Sequence, residues 1–406
     1  MRRSPSRRSL LPALLLVVLW LPGSTACGGE AGARATEWAG TMDTLASGQI
    51  VVRNPSDPLW GEDEGWTVTE DLRIGALDDP GPYGFGQIIA IDVDALGRIW
   101  VLESQAKEIR VFDADGRHVR TVGRAGGGPG EFNGPAHAEF GRDGRLWVAD
   151  PQNNRVSVID TTGAFVESHR MEGGFFISPW PGGFDLEGRY YLPIPHFGSD
   201  GFGVATVRYD ADFQPLDTIP QLSDPVQGER FELRDGEGGG IIASVPFTAG
   251  FGTSRSPQGT MWGLLTGEYR LFEIAPGGDT LRTVLARYDP LPVTSEDRET
   301  ARETLKWFTD QGGKIDISRI PGTKPAAWSM FVDDEGRIWV DRITAHPNGQ
   351  DFDIFDPEGR FLGRVQLPVP LGSPRLVVGD HIYGVTRDDL GVPYVVRVVI
   401  AERRPG

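Results

Sequence analysis

An all-β fold is predicted by three features of this 406-residue sequence. First, 55 Gly and 31 Pro make up about a fifth of the chain, well above the usual share of roughly 12%, so turns are frequent. Second, 39% of the residues are apolar and 11 Trp and 20 Phe are present. That is enough to fill a sizeable core and excludes a disordered low-complexity chain. Third, one short pattern recurs: an apolar strand, an acidic turn ending in Gly-Arg, and a second strand carrying Trp. Frequent turns between short apolar segments disfavour a helical bundle.

The recurring pattern is clearest in residues 91–101, 140–148 and 331–340, weaker in 185–191 and 256–262, and degenerate in 378–383. A second hairpin follows each copy, and the better ones, 109–116, 156–163 and 352–359, have their own Asp-x-x-Gly turn. Alternation of Ile109 and Val111 around Arg110, and of Val156 and Val158 around Ser157, marks strands, and the glycine supplies the positive φ of a tight turn. Each repeat is thus four antiparallel strands, A to D. The turn glycines Gly97, Gly144 and Gly188 are 47 and 44 residues apart, and Gly336 and Gly379 are 43 apart. Four strands at that period form one blade of a β-propeller. The longer gaps, 71 from Gly188 to Gly259 and 77 from Gly259 to Gly336, exceed a blade by too little to hold another. The prediction is a six-bladed propeller over residues 64–403, with insertions at about 219–254 and 288–327. Residues 68–75 are expected to be the outermost strand of the last blade, whose other strands come from 374–400, so the chain ends close the ring and leave no open edge.

The N-terminus sets the compartment. Met1–Arg8 is basic, Leu10–Leu21 is a twelve-residue apolar run interrupted by Pro12, and Pro22–Ala26 is a small-residue stretch. These are the three parts of a secretory signal peptide, assigned to residues 1–26. The apolar run is too short to cross a bilayer, which takes about 20 residues, and no later stretch approaches that length. Cys27, the only cysteine, directly follows Thr25-Ala26, and this segment resembles a bacterial lipobox, with Ser24 where Leu is preferred. The resemblance implies lipidation of Cys27 and membrane anchoring; ordinary secretion with a free thiol is the alternative. Residues 27–63 are expected to be a flexible tether. One cysteine excludes an intramolecular disulfide and a four-Cys zinc site. Net charge is −17, and from residue 27 onward 36 basic residues face 57 acidic ones. So acidic a chain repels phosphate backbones, and no nucleic-acid partner is expected.

The segment Gly128-Pro129-Gly130-Glu131-Phe132-Asn133-Gly134-Pro135, followed by Asp143–Asp150 and Asn153-Asn154-Arg155-Val156, resembles an NHL repeat. The repeats as a whole are similar to bacterial six-bladed propellers of the NHL or TolB-like type, most closely in blades 1, 2 and 5. The namesake His is missing at Asn154-Arg155. The resemblance implies a fold and leaves the function open, since such propellers include binding scaffolds, lyases and lactonases.

In a propeller the D-to-A connections and B-to-C loops share one face, and both insertions fall there. The second holds a helix: Thr294 or Ser295 caps it, Ala301, Leu305 and Phe308 form an apolar face, and Gly312-Gly313 ends it. That face is expected to pack on the propeller rim, as a brace or as a lid over the channel. His137, before the second A strand, and His196 and His346, in the third and fifth B-to-C loops, map to this face. Three imidazoles meeting there would suit zinc, as the resemblance to NHL-type lyases allows. No local motif such as H-E-x-x-H supports this. The Asp-x-Gly turns lack the D-x-[DN]-x-[DN]-G spacing of a calcium loop. Asn153, Asn154 and Arg155 open the second C strand, where they either bind a ligand carboxylate or carbonyl or lock adjacent blades. Trp100, Trp147, Trp262 and Trp339 occupy equivalent B-strand positions and are expected in the inter-blade core. His118, His169 and His381 fall on turns or outer strands and are expected to be solvated.

Two functions follow. The leading one is a non-catalytic, lipid-anchored envelope protein that binds a protein, peptide or glycan on the insertion-bearing face, without a cofactor. The competing one is a metal-dependent lyase or lactone hydrolase, with zinc or calcium at the channel mouth.

Overall fold

The computed structural model describes residues 38–61, 64–171, 183–198, 201–220, 226, 228–234, 240–344 and 349–402. Cys27 and His346 lie outside the described residues, as do the signal segment and residues 27–37 and 62–63 of the expected tether. The chain is a six-bladed propeller of four-stranded antiparallel blades. Blade 1 has strands A to D at Ile88–Val93, Ile99–Glu103, Glu108–Phe112 and His118–Val122. The A strands of blades 2 to 6 are His137–Phe140, Gly183–Phe184, Phe251–Arg255, Ala327–Val332 and Gly372–Val378. Ring closure is as predicted: Trp66–Ile74 pairs antiparallel with Pro393–Glu402, Ile74 facing Val395 and Val68 facing Ile400. Among the described residues, no helix is long and apolar enough to cross a membrane.

The repeated turn owes its residues to one carboxylate. In blade 5, Asp333 Oδ1 accepts the backbone N–H of Glu335 (3.1 Å) and Arg337 (2.8 Å). Its Oδ2 accepts Nε of Arg337 (2.7 Å) and Nε1 of Trp339 (2.8 Å). Gly336 closes the turn at φ 83°, where an L side chain is strained. Asp94 does the same with Leu96, Arg98 and Trp100, and Asp185 with Glu187, Arg189 and the hydroxyl of Tyr191. Burial works to raise the Asp94 pKa, but the bonds from Trp100 and Arg98 outweigh it and hold the group below its ordinary value. In blade 2, Gly141 takes the carboxylate's place, and the buried Nε1 of Trp147 has no hydrogen-bond partner among the described residues. The four repeat tryptophans are buried, Trp339 completely, in the packing between blades.

Three expectations need correction. The stretch 38–61 is not a tether but a belt across the outer edges of blades 4 and 5. Thr41–Thr44 and Ile50–Arg53 form a hairpin whose second strand pairs parallel with Thr280–Leu285, strand D of blade 4. Val51 and Val52 bury there, and Asn54 bonds to the Gly359 carbonyl (2.9 Å) and the Phe361 N–H (2.7 Å) of blade 5. Leu59 and Trp60 then bond to Phe361 and Leu362, and Trp60 packs on Trp66, which stacks on Trp339. The apolar Ile50-Val51-Val52 run supplies the burial that a Gly/Thr/Asp/Pro composition concealed.

The inserted helix, in turn, does not pack on the rim. It is two helices, α1 (Ser295–Thr304) and α2 (Lys306–Asp310), with a capping box between Thr294 and Asp297. Its predicted face, Ala301, Leu305 and Phe308, shares a core with Phe231, Ala243 and Val245 from a hairpin in the first insertion, Arg230–Arg234 and Gly240–Ser244. A short helix and a two-stranded hairpin, each marginal in isolation, thus bury each other's apolar side. Finally, His169 is half-buried rather than solvated: its ring lies against Trp147 (5.2 Å) and Phe213 (4.6 Å), and burial lowers its pKa.

Candidate functional site at the channel mouth

The two insertions enter strand A of blades 4 and 5, so the body they form, here called the cap, stands at the channel end where inner strands begin. Its roots are stitched to the propeller through Thr266, in the B-to-C loop of blade 4. The Thr266 hydroxyl accepts the Gly250 N–H (2.8 Å), and its carbonyl accepts the Ala326 N–H (2.8 Å). Arg319 ties the two insertions together, bonding to the Glu229 carboxylate (3.0 Å) and the Arg230 carbonyl (3.0 Å). Lys324 pairs with Asp297 (2.7 Å) and lies over the Phe247 ring.

Between cap and inner strands is a cavity of about 220 Å³. Thr248, Phe251, Thr253, Thr266, Trp328 and Ser329 give it aromatic walls and four hydroxyls, and no charged residue among the described ones lines it. Trp328 is 56% exposed, unlike the repeat tryptophans, and sits 5.9 Å from Phe247. The Ser329 hydroxyl accepts Nη2 of Arg375 (3.1 Å), whose other end pairs with Asp341 (3.0 Å), so the cavity floor is fixed.

The inner strands carry charge elsewhere. Asp92 accepts the Phe140 N–H of blade 2 (2.6 Å), Glu139 the Phe184 N–H of blade 3 (2.8 Å), and Ser254 the Val332 N–H of blade 5 (3.1 Å). All three stand opposite a repeat tryptophan, so one repeat position stitches neighbouring A strands. At Gly183 a Cβ would lie 1.7 Å from Oε2 of Glu139, which is why the third blade has no side chain there. Burial works to raise the Glu139 pKa, but the His137 ring at 3.2 Å and the Arg255 guanidinium at 3.8 Å outweigh it. Among the described residues Asp92 has no such cation. Burial and the neighbouring Glu139 charge push it up to about 7, despite the N–H bonds it accepts.

That shift predicts a pH dependence. The folded state holds the Asp92 proton between its ordinary pKa of 3.8 and about 7, whereas the unfolded chain has lost it. Stability therefore falls as pH rises through that window, by up to about 1.4 kcal/mol per unit. An Asp92→Asn variant, neutral throughout and still able to accept the Phe140 N–H, gains on the native protein between pH 4 and 7. Urea unfolding across this range is expected to show the gap widen and then level; a gap independent of pH contradicts the assignment.

The sequence-predicted residues separate. His137 opens strand A of blade 2 and pairs with Glu139. His196 is not in a loop: its backbone continues strand B of blade 3, paired with Gly203, and its side chain lies outside the described residues. Asn153 bonds to the Gly126 carbonyl (2.9 Å) and to Asp150 (2.7 Å). Asn154 takes the left-handed conformation that ends the 3-10 turn at Pro151–Asn153. Arg155 bonds to the carbonyls of Gly127, Gly128 and Glu131, so these groups hold the connection between blades 1 and 2. Among the described residues no three His, Cys, Asp or Glu side chains are grouped to hold a metal.

Comparison with known proteins agrees with this architecture. A family described as a six-bladed β-propeller matches residues 83–173. No curated protein matches the sequence. Solved structures with similar folds include a candidate exported protein from Bacteroides fragilis, 12% identical, covering 83% of this chain and 95% of its own, TM-score 0.46. Virginiamycin B lyase from Staphylococcus aureus is 11% identical over 83% of this chain and all of its own, TM-score 0.41. A gluconolactonase from Xanthomonas campestris is 13% identical over 82% and 99%, TM-score 0.40. At such identities these proteins indicate neither the ligand nor the chemistry of this chain.

Proposed function

We propose that this chain is an exported, lipid-anchored binding protein of the cell envelope, and that a protein, peptide or glycan enters the cavity between cap and channel mouth. What carries the reading is the joint use of both insertions to roof one end of the inner strands, over an uncharged cavity in a chain of net charge −17. An exposed indole beside several hydroxyls suits a sugar ring, or an uncharged side chain of an extended peptide, better than an ion. Glycan and peptide arrays probed with the mature domain are expected to give hits that Trp328→Ala loses at least tenfold. Hits that Trp328→Ala retains contradict the site. The competing enzyme needs a bound ion: stoichiometric zinc or calcium in the purified domain, lost on His137→Ala, favours it over the binding reading.

The anchor is tested separately. Metabolic labelling with an alkyne fatty acid is expected to tag the native chain and leave Cys27→Ser unlabelled in the aqueous fraction. Equal labelling of both overturns lipidation at that residue.

A further inference from the structure

A second, much smaller cavity lies in the outer cleft between blades 4 and 5, about 30 Å³, walled by the belt at Asn54–Ser56, by Ala286 and Arg287 where blade 4 ends, and by Arg342, Asp353 and Arg364 of blade 5. Three arginines and one carboxylate thus line a single small cleft in a chain that is otherwise strongly acidic. The carboxylate is already occupied. Asp353 Oδ2 accepts the Tyr269 hydroxyl (2.5 Å) and Nη1 of Arg342 (3.2 Å), and Oδ1 accepts Nε of Arg364 (3.0 Å). Positive charge is left over. Arg287 is exposed and makes no ion pair or hydrogen bond among the described residues.

We propose that this cleft binds a phosphate-type oxyanion, either free phosphate or the phosphate of a lipid headgroup. The space admits about two or three waters or one small oxyanion, and guanidinium forks match oxyanion geometry better than they match any neutral group of that size. A phosphate here supplies the counter-charge that Arg287 lacks. Asp353 does not compete, because its oxygens are held by Tyr269 and two arginines. The belt completes the wall, so the site exists only while residues 38–61 are docked. It is separate from the channel-mouth cavity and does not depend on that cavity's ligand.

Arg287→Ala removes one cation without disturbing a structural bond, so it is expected to fold as the native domain does. Thermal unfolding of the non-lipidated domain is measured in inorganic phosphate, with sodium chloride at equal ionic strength as control. A saturable rise in Tm of about 2 °C or more, absent in Arg287→Ala and kept in Trp328→Ala, supports the site with free phosphate as its ligand. Flotation with phosphatidylglycerol vesicles that falls at least fivefold in Arg287→Ala supports it with the headgroup as source. No saturable rise and no flotation, or responses equal in Arg287→Ala and native protein, overturn the proposal.

Discussion

A chain that begins at residue 64 is expected to lose roughly 5 kcal/mol of stability relative to one that begins at residue 38, although both keep all six blades. The shorter chain exposes the face that Val51 and Val52 cover, at about 1.5–3 kcal/mol for each aliphatic side chain. It also strands the blade 5 groups that Asn54 satisfies, the Gly359 carbonyl and the Phe361 N–H. Strand D of blade 4 becomes a free edge, so the shorter chain is also expected to self-associate. Guanidinium unfolding and light scattering check both effects. Equal midpoints would make residues 38–61 the tether that their composition suggests.

Asp333→Ala is expected to cost about 3 kcal/mol. The substitution removes one acceptor from two backbone N–H groups, from Arg337 and from the indole of Trp339, which is completely buried. Arg337 keeps Glu335 as a partner at 2.7 Å, so the loss falls mainly on Trp339 and the turn. The molecule shows that one such loss is tolerable, since Nε1 of Trp147 already lacks a partner among the described residues where Gly141 replaces the carboxylate. A second vacancy, across the ring, is expected to lower the midpoint without abolishing folding. A cost under about 1 kcal/mol would mean that the repeated aspartate serves the turn conformation alone.

What the sequence disclosed follows from how local each signal is. Blade number and ring closure were legible because Asp94, Gly97 and Trp100 and their equivalents lie within a few residues of one another and recur at a fixed period. The belt was hidden because its second strand pairs in parallel with residues more than two hundred positions away, outside any repeat. In the cap, Ala301, Leu305 and Phe308 were read correctly as a buried face, but their partners Phe231 and Ala243 belong to the other insertion and carry no mark of it. Histidines drew attention at the channel, yet the stitching groups are Asp92 and Glu139. Their signal was present: an acidic residue in an apolar A strand, directly opposite a repeat tryptophan in two successive blades. Trp328 was missed because only its exposure, not its residue type, distinguishes it from the core tryptophans.

The claim that ligand enters between cap and channel mouth is tested most directly by hydrogen exchange on the mature domain, with and without a glycan or peptide selected on the arrays. Slower exchange is expected in residues 247–253, 265–267 and 325–330, with the turns at the opposite end unchanged. Protection confined to those opposite turns, or to the outer strands, would contradict it.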